Sequence, residues 1–544
     1  MTLALLTVLL SVAAGAGLAF LGGRDRRHLA RVVDSFSLVA CMVVVIVHLL
    51  PHAISRAGLL ALLPFAAALL IPLYFERWAH QRAGEHAHGR AALEIGYAGL
   101  LLHQMGDGLG LGTFASGAHE GHDHVELAVA IFAHTVPVAA VVTLAFIRHA
   151  GARSALLRAA GLAGAGFVGV ALAGGTPSAF LAVSEPWVTA VVAGLLLHVI
   201  THDFRPEGGR GTSARLAELV ALVLGVGLVL LGAGDHGHHE ADGFRVELER
   251  ALSTLGATVA PTVLLGLVAG ALVRALRVPM PGAFFEGRDR KHGVPELFVV
   301  ALAISLQLFG LLFSGLYLAV ALLLAVAGAR VAGVAPFVRR AGEGEGFVRA
   351  FRRDLDLLFT RLAPWLVFGL VAAAYASAGV ASGAFEGMGA LGVAMAAAIA
   401  FPIALSSAGG VVVMFVAVLE GLSPGAALAS LVVGPATSLA VDEGVGERKK
   451  PARAASWGVW IAAVAIGVAL DLTVFRTGPA LEVPARFPRA IELAASAALG
   501  AAMLWILVRD GVRAFLGSLG ESLGALPNGH DHGHDHGGHG HHAH

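Results

Sequence analysis

Apolar runs of about 18–22 residues recur along almost the whole chain, each ended by a short polar stretch rich in Arg, Gly or Pro. A continuous apolar helix of that length spans the ~30 Å hydrocarbon core of a bilayer. In the first half the runs fall near residues 2–21, 33–50, 58–75, 92–112, 126–147, 157–174, 187–203 and 216–233, which predicts eight spanning helices. A polar, poorly periodic stretch, Gly232–Leu255, separates them from runs near 256–273, 296–313, 315–332 and 358–379. The next apolar region, 388–441, is broken at Pro402, Gly409–Gly410, Pro424–Gly425 and Gly434–Pro435; two last runs follow at 455–475 and 488–508. Interrupted helices are tolerated at membrane depth only where the freed backbone faces protein or water, and transporters place substrate sites there. The pattern predicts an all-α, polytopic transmembrane protein. Its two helical modules, 1–233 and 256–508, are joined by a His/acid-rich linker at 234–255 and followed by a tail at 509–544.

Composition narrows this further. With 57% apolar and 14% charged residues, a chain of 544 residues has too few polar side chains to cover a soluble surface, so the lipid bilayer is its expected partner. A net formal charge of zero gives no footprint for nucleic acid. The single cysteine, Cys41, lies in an apolar run, which excludes a disulfide framework and a thiolate metal cage. Met1–Leu21 lacks a positive leading segment and is followed by Arg24, Arg26 and Arg27, so it reads as a first span with its N-terminus outside. Loops one, three, five and seven carry Arg24, Arg26, Arg27, Arg31; Arg77, Arg82, Arg90; Arg148, Arg153, Arg158; and Arg205, Arg210, Arg215. The opposite side has Arg56, Arg245 and Arg250. Thirteen against three puts the odd loops and the C-terminus in the cytoplasm. The Ala/Gly/Arg-rich, Lys-poor usage is that of a GC-rich bacterial genome, so the expected location is a bacterial inner membrane.

Ionisable residues at bilayer depth carry the chemistry. His48 and His52 stand in HLLPH at the end of the second run, His103 and Asp107 in HQMGDG within the fourth, His134 in HTVP within the fifth, and His198, His202 and Asp203 in HVITHD within the seventh. The pairs 48/52, 103/107 and 198/202 are spaced i, i+4, which sets both members on one helix face. A lone histidine of this kind is more often bonded to a neighbouring carbonyl. So many over four spans instead mark a functional path, because each is costly in hydrocarbon unless it pairs or faces water. Imidazole with carboxylate suits Zn²⁺ and its neighbours, and no cysteine or methionine cluster points to Cu(I). At ~1.5 Å per residue, His103 and His134 lie roughly 16 Å and 13 Å into their spans, so both approach the midplane. His48 and His52 are expected toward the periplasmic end and His202 toward the cytoplasmic end.

These residues bring a family into view. The eight-span unit, residues 1–233, resembles the ZIP metal transporters. HQMGDGLGLG (His103–Gly112) looks like their fourth-helix signature, HTVP (His134–Pro137) aligns with the start of their fifth-helix motif, and HLLPHA with their second-helix pattern. The resemblance implies a divalent metal ion carried as substrate, with no organic cofactor and no catalysis. The family's site usually holds two metals through bridging carboxylates. Here Gln104 replaces the family's asparagine, Thr135 the acidic residue and Val138 the bridging ligand after the proline. The implied site is therefore mononuclear, built on His103, Asp107 and His134 and completed by His48 or His198. A homodimer is left open.

Residues 256–508 resemble the bacterial predicted-permease family that includes organoarsenical efflux permeases, through Asp354–Leu370 and Glu420–Leu439. Ser406 and Ser407 stand where many members have cysteines, which removes a thiol mechanism. Asp354 and Asp356 are expected at a cytoplasmic helix start, stabilised by the helix dipole. The His/acid-rich segments Ala118–His124, Asp235–Glu240 and Gly529–His544 suit loose metal capture. The sequence thus favours a metal transporter working through its first module. The alternatives are a permease whose other substrate crosses the second module, and an intramembrane zinc hydrolase, for which no HExxH occurs in any span.

Overall fold

The computed structural model describes residues 2–23, 44–69, 88–115, 124–173, 178–202, 239–280, 296–333, 346–403, 407–436, 449–476 and 486–512, with a few isolated positions besides. Among these residues the protein is α-helical throughout, and seven helices are long and apolar enough to cross a membrane. Most of the expected span at 216–233, most of the tail and most of loops one, three and seven lie outside the described residues.

The first module begins with α1 (Thr2–Gly23), a π-helical turn at Val44–Leu49, α2 (Leu50–Ala57) and α3 (residues 62–69). It continues through α4 (His88–Ala115), α5 (His124–Ala173) and α6 (Ser178–His202). α5 is two limbs. Gly151, at φ 82°, turns the chain back on itself. In a straight helix Phe146 and Arg158 would stand ~18 Å apart, yet the Arg158 guanidinium lies 5.0 Å over the Phe146 ring. The two runs predicted at 126–147 and 157–174 are those limbs. Arg148 and Arg153 flank the turn and Arg158 follows one turn on, so this is the module's basic end.

Small residues let the backbones meet. A Cβ on Gly108 would overlap the Gly166 carbonyl, one on Gly169 the Met105 carbonyl, and one on Gly15 the Val136 carbonyl. These contacts lock α1, α4 and both limbs of α5 into one block, as small residues do where lipid supplies no hydrophobic drive between helices. At the basic end Arg158 closes the block. It binds Glu94 at 2.5 Å and stacks on Tyr97 and Phe146, while the Tyr97 hydroxyl donates to its carbonyl at 2.9 Å.

The second module comprises α7 (His239–Ala275), α8 (Leu297–Ala332), α9 (Phe347–Gly379), α10 (Gly389–Ile403), α11 (Ser407–Leu419), α12 (Pro424–Ala436), α13 (Lys449–Thr473) and α14 (Arg489–Asp510). α7 starts at His239, well before the apolar run expected from 256. The charges of its leading turns offset one another, as where Arg250 pairs with Glu247, and Phe244 packs on Tyr375 of α9. α8 is a hairpin folded at Gly310, φ 83°. Ser305 and Ser314 hydroxyls bond at 2.9 Å and the Phe298 and Tyr317 rings are 5.1 Å apart, which a straight helix forbids. This matches the two runs predicted at 296–313 and 315–332.

The broken region forms short helices. α10 and α11, of 15 and 13 residues, reach only ~20 Å each, less than a ~30 Å core. Phe385, just before α10, donates its N–H to the carbonyl of Glu420, just after α11, at 3.2 Å, so the pair enters and leaves at one end. α11 is held against α9 by backbone contact of Gly409 with Gly369.

Asp354 departs from its expected place. α9 begins at Phe347, so Asp354 lies two turns in; it is buried and bound to Arg274 of α7 at 3.1 Å. The same guanidinium binds Glu296 at 3.0 Å, tying α7, α8 and α9 together. Asp356 pairs with Arg509 of α14. The two modules meet where α2 packs on α7 and α9: Ile54 lies against Gly379, and Ile54, Ala190 and Tyr375 share one buried cluster with Phe244 beside it.

Candidate metal centre

α4 presents Gly99, His103 and Asp107 at i, i+4 and i+8, one stripe on one face. His103 Nε2 and Asp107 Oδ2 are 3.5 Å apart. A good charge-assisted hydrogen bond would bring them to 2.7–2.9 Å. Two ligands of a tetrahedral ion with bonds of about 2.0–2.1 Å are separated by an edge of about 3.3 Å. At 3.5 Å the two form an i, i+4 ion pair at the outer edge of hydrogen-bonding distance.

The helices fix the depth of the remaining candidates. Ile131 shares a small buried cluster with Leu111 and Val8, and Phe146 meets Tyr97 edge-on at 5.6 Å. Between those two points the first limb of α5 runs antiparallel to α4, and residue 134 falls opposite the turn that holds Asp107. On α6, Leu195 lies on Gly99. His198 and His202 follow it by three and seven residues, and so stand about 10 Å or more nearer the basic end than His103.

His48 stands in the π-helical turn Val44–Leu49 and His52 in the first turn of α2. Pro51 does not stop the helix; it occupies the first turn of α2, which runs on to Ala57 before Gly58 turns the chain at φ 65°. α2 packs on α6 in the cluster that holds Ala190, five residues above Leu195. His52 is therefore at roughly the depth of His103. His48 lies in the π-helical turn just before, an element that recurs at functional sites.

Among the described residues no group of three or more His, Cys, Asp or Glu side chains is gathered closely enough to hold a metal. The side chains of His48, His134, His198 and His202 are outside those described, and so is Asp203 entirely. What is brought together is the His103–Asp107 pair. Two further polar side chains are buried in the same module. Gln104 and Thr135 are both buried, and Gln104 Nε2 and Thr135 Oγ1 meet no hydrogen-bond partner among the described residues. Sequence marks both as replacements for family ligands, yet their open hydrogen-bonding capacity follows only from the packing around Val8 and Gly166.

No protein-family model matches this chain, no curated protein matches it, and no solved structure matches it.

Proposed function

We propose that this membrane protein transports a divalent transition-metal ion, zinc first, through a mononuclear site in its first module. His103 and Asp107 supply two ligands, and His134, at the same depth on α5, a third. The supporting observation is the His103–Asp107 separation of 3.5 Å at a buried position near mid-helix. An imidazole and a carboxylate on one helix face are a ligand combination that suits zinc and its neighbours. The resemblance of residues 1–233 to ZIP transporters supports the same reading. With one carboxylate and neutral Gln104 and Thr135 nearby, the site carries little negative charge, which favours release over tight storage. The arginine bias places the basic end in the cytoplasm of a bacterial cell, with the N-terminus outside and the C-terminus inside.

Two measurements test this. Metal analysis of the purified protein should find about one zinc per chain in the wild type and a large loss in His103→Ala. Zinc flux into proteoliposomes should fall in His103→Ala and Asp107→Ala; wild-type flux in both would reject the site. A second reading rests on α10 and α11, whose shared end and short reach suit a substrate path of the second module's own. Flux of a non-metal solute that survives His103→Ala but is lost in Gly409→Val would favour it.

A further inference from the structure

We propose that the second module is two helix bodies that rock against each other on a glycine hinge at one end, opening and closing the end at which α9 and α13 begin. The motion depends neither on the His103–Asp107 pair nor on which solute the protein carries. Rocking of one helix body against another is how a path inside a helical module is presented to one side at a time.

Three consecutive helices of the module are too short to cross a ~30 Å core: α10, α11 and α12, of 15, 13 and 13 residues. Two of them are fastened to long helices, backbone on backbone. A Cβ on Gly369 of α9 would overlap Gly409 of α11, and one on Gly409 the Trp365 carbonyl. A Cβ on Gly425 of α12 would overlap the Gly467 carbonyl of α13, and one on Gly467 the Gly425 carbonyl. Asp471 of α13 also accepts the Gly425 N–H at 2.8 Å. Each seam joins one short helix to one long one, as α9/α11 and α12/α13, and no change of rotamer opens it. The first unit is tied onward to α7, α8 and α14, by Arg274 on Asp354 and Glu296 and by Arg509 on Asp356. α10 goes with the second unit: Val393 lies on Gly467, whereas among the described residues α10 and α11 scarcely touch.

The two links between these units that the structure describes are both glycine turns. The link from α9 to α10 has Gly383 at φ 78°, Gly387 at 76° and Gly389 at 50°; the link from α11 to α12 has Gly421 at 97°. They lie side by side. Phe385 donates to the Glu420 carbonyl, and a Cβ on Gly421 would overlap Glu386. Gly310, at φ 83°, folds α8 at the same end, where Phe309 meets Phe415 of α11 at 5.5 Å and Phe313 meets Phe475 beyond α13 at 6.4 Å. Five of the nine glycines at positive φ among the described residues therefore stand at one end of one module. A chain reversal at a helix end commonly uses one left-handed residue. Three within residues 383–389 exceed that need. Gly387 and Gly389 also have open space where a Cβ would stand, so packing does not explain them. Their freedom does, because glycine crosses between left- and right-handed backbone without steric cost, and a hinge absorbs its motion in such changes. With both links held at this end, rotation displaces the opposite one.

Paired spin labels read the motion in the full chain, attached at introduced cysteines in a Cys41→Ser background in proteoliposomes. One pair spans the far end, at Val348 of α9 and Trp457 of α13. A second spans the hinge end, at Ser382 and Leu472, and a third lies within one unit, at Val348 and Leu419 of α11. All five positions are exposed. The far-end pair should give a distance distribution about twice as wide as either of the others. Gly387→Ala with Gly389→Ala, where a methyl meets no clash, should narrow it by about half. Gly315→Ala, at a helical position of α8 with equal space and an ordinary φ, should leave it unchanged. Equal widths for the three pairs, in protein folded by size-exclusion profile, overturn the two-body motion. A wide far-end distribution that the double alanine variant leaves unchanged overturns the glycine hinge.

Discussion

One buried polar grouping in each module shows opposite behaviour. In the second module, buried charged side chains near helix ends are closed onto one another: Arg274 binds Asp354 at 3.1 Å and Glu296 at 3.0 Å, and Gln307 bonds Thr262 and donates to the Thr258 carbonyl at 2.7 Å. In the first, Gln104 and Thr135 are buried, and Gln104 Nε2 and Thr135 Oγ1 have no partner among the described residues. Buried polarity that is satisfied holds helices together; buried polarity left open is retained only where something binds. The contrast assigns structure to the first kind and a site to the second.

The largest effect expected from this contrast is at Arg274. Arg274→Ala leaves Glu296 and Asp354 buried without their guanidinium, which should cost about 3–5 kcal/mol and appear as a collapse of monodisperse yield and a steep fall in Tm in detergent. His103→Ala should leave Tm nearly unchanged in the absence of metal. The reverse ranking would break the comparison.

Next in size is metal itself. Zinc at about 100 times its Kd should stabilise the wild type by about 2.7 kcal/mol. The rise in Tm should vanish in His103→Ala and Asp107→Ala and survive in Arg353→Ala, since Arg353 is at the far module's Asp354. A shift that persists in the site variants would move the zinc effect to the His-rich segments.

A matched pair of amide substitutions sharpens the comparison at about 1–2 kcal/mol. Gln307→Leu removes the partner of the Thr262 hydroxyl and the Thr258 carbonyl, and should destabilise. Gln104→Leu removes a buried amide whose Nε2 is unanswered, and should be neutral or stabilising in apo protein while weakening zinc flux. Thermal unfolding of both, without metal, decides it.

Much of this was legible in the sequence. Run length identified the helices, because the bilayer fixes how many apolar residues a span needs. It also predicted two limbs at 126–174 and at 296–332, where each turn is a single glycine at positive φ, Gly151 and Gly310. Periodicity placed His103 and Asp107 on one face. It could not place Asp354, whose partner Arg274 lies 80 residues away, because a helical period gives the face and not the neighbour. Nor could it find Leu195 on Gly99: one residue is an ordinary leucine in an apolar run, and only the crossing of α4 and α6 brings the two together.

The smallest effect tests a group in the second module that straddles the contrast. Asp471 near the end of α13 accepts the Gly425 N–H at 2.8 Å, capping the first turn of α12, while its Oδ2 is buried and meets no partner among the described residues. If the carboxylate serves only the helix, Asp471→Asn keeps the acceptor and loses the charge, a cost of about 0.5–1 kcal/mol from the helix dipole. Asp471→Ala should then cost about 1–2 kcal/mol, and neither variant should alter transport per folded molecule. If the open oxygen instead serves a solute entering beside α10 and α11, Asp471→Asn should depress transport by more than its loss of stability explains. Flux normalised to folded protein separates the two, and a flux defect without a stability defect would extend the site-like character of the first module into the second.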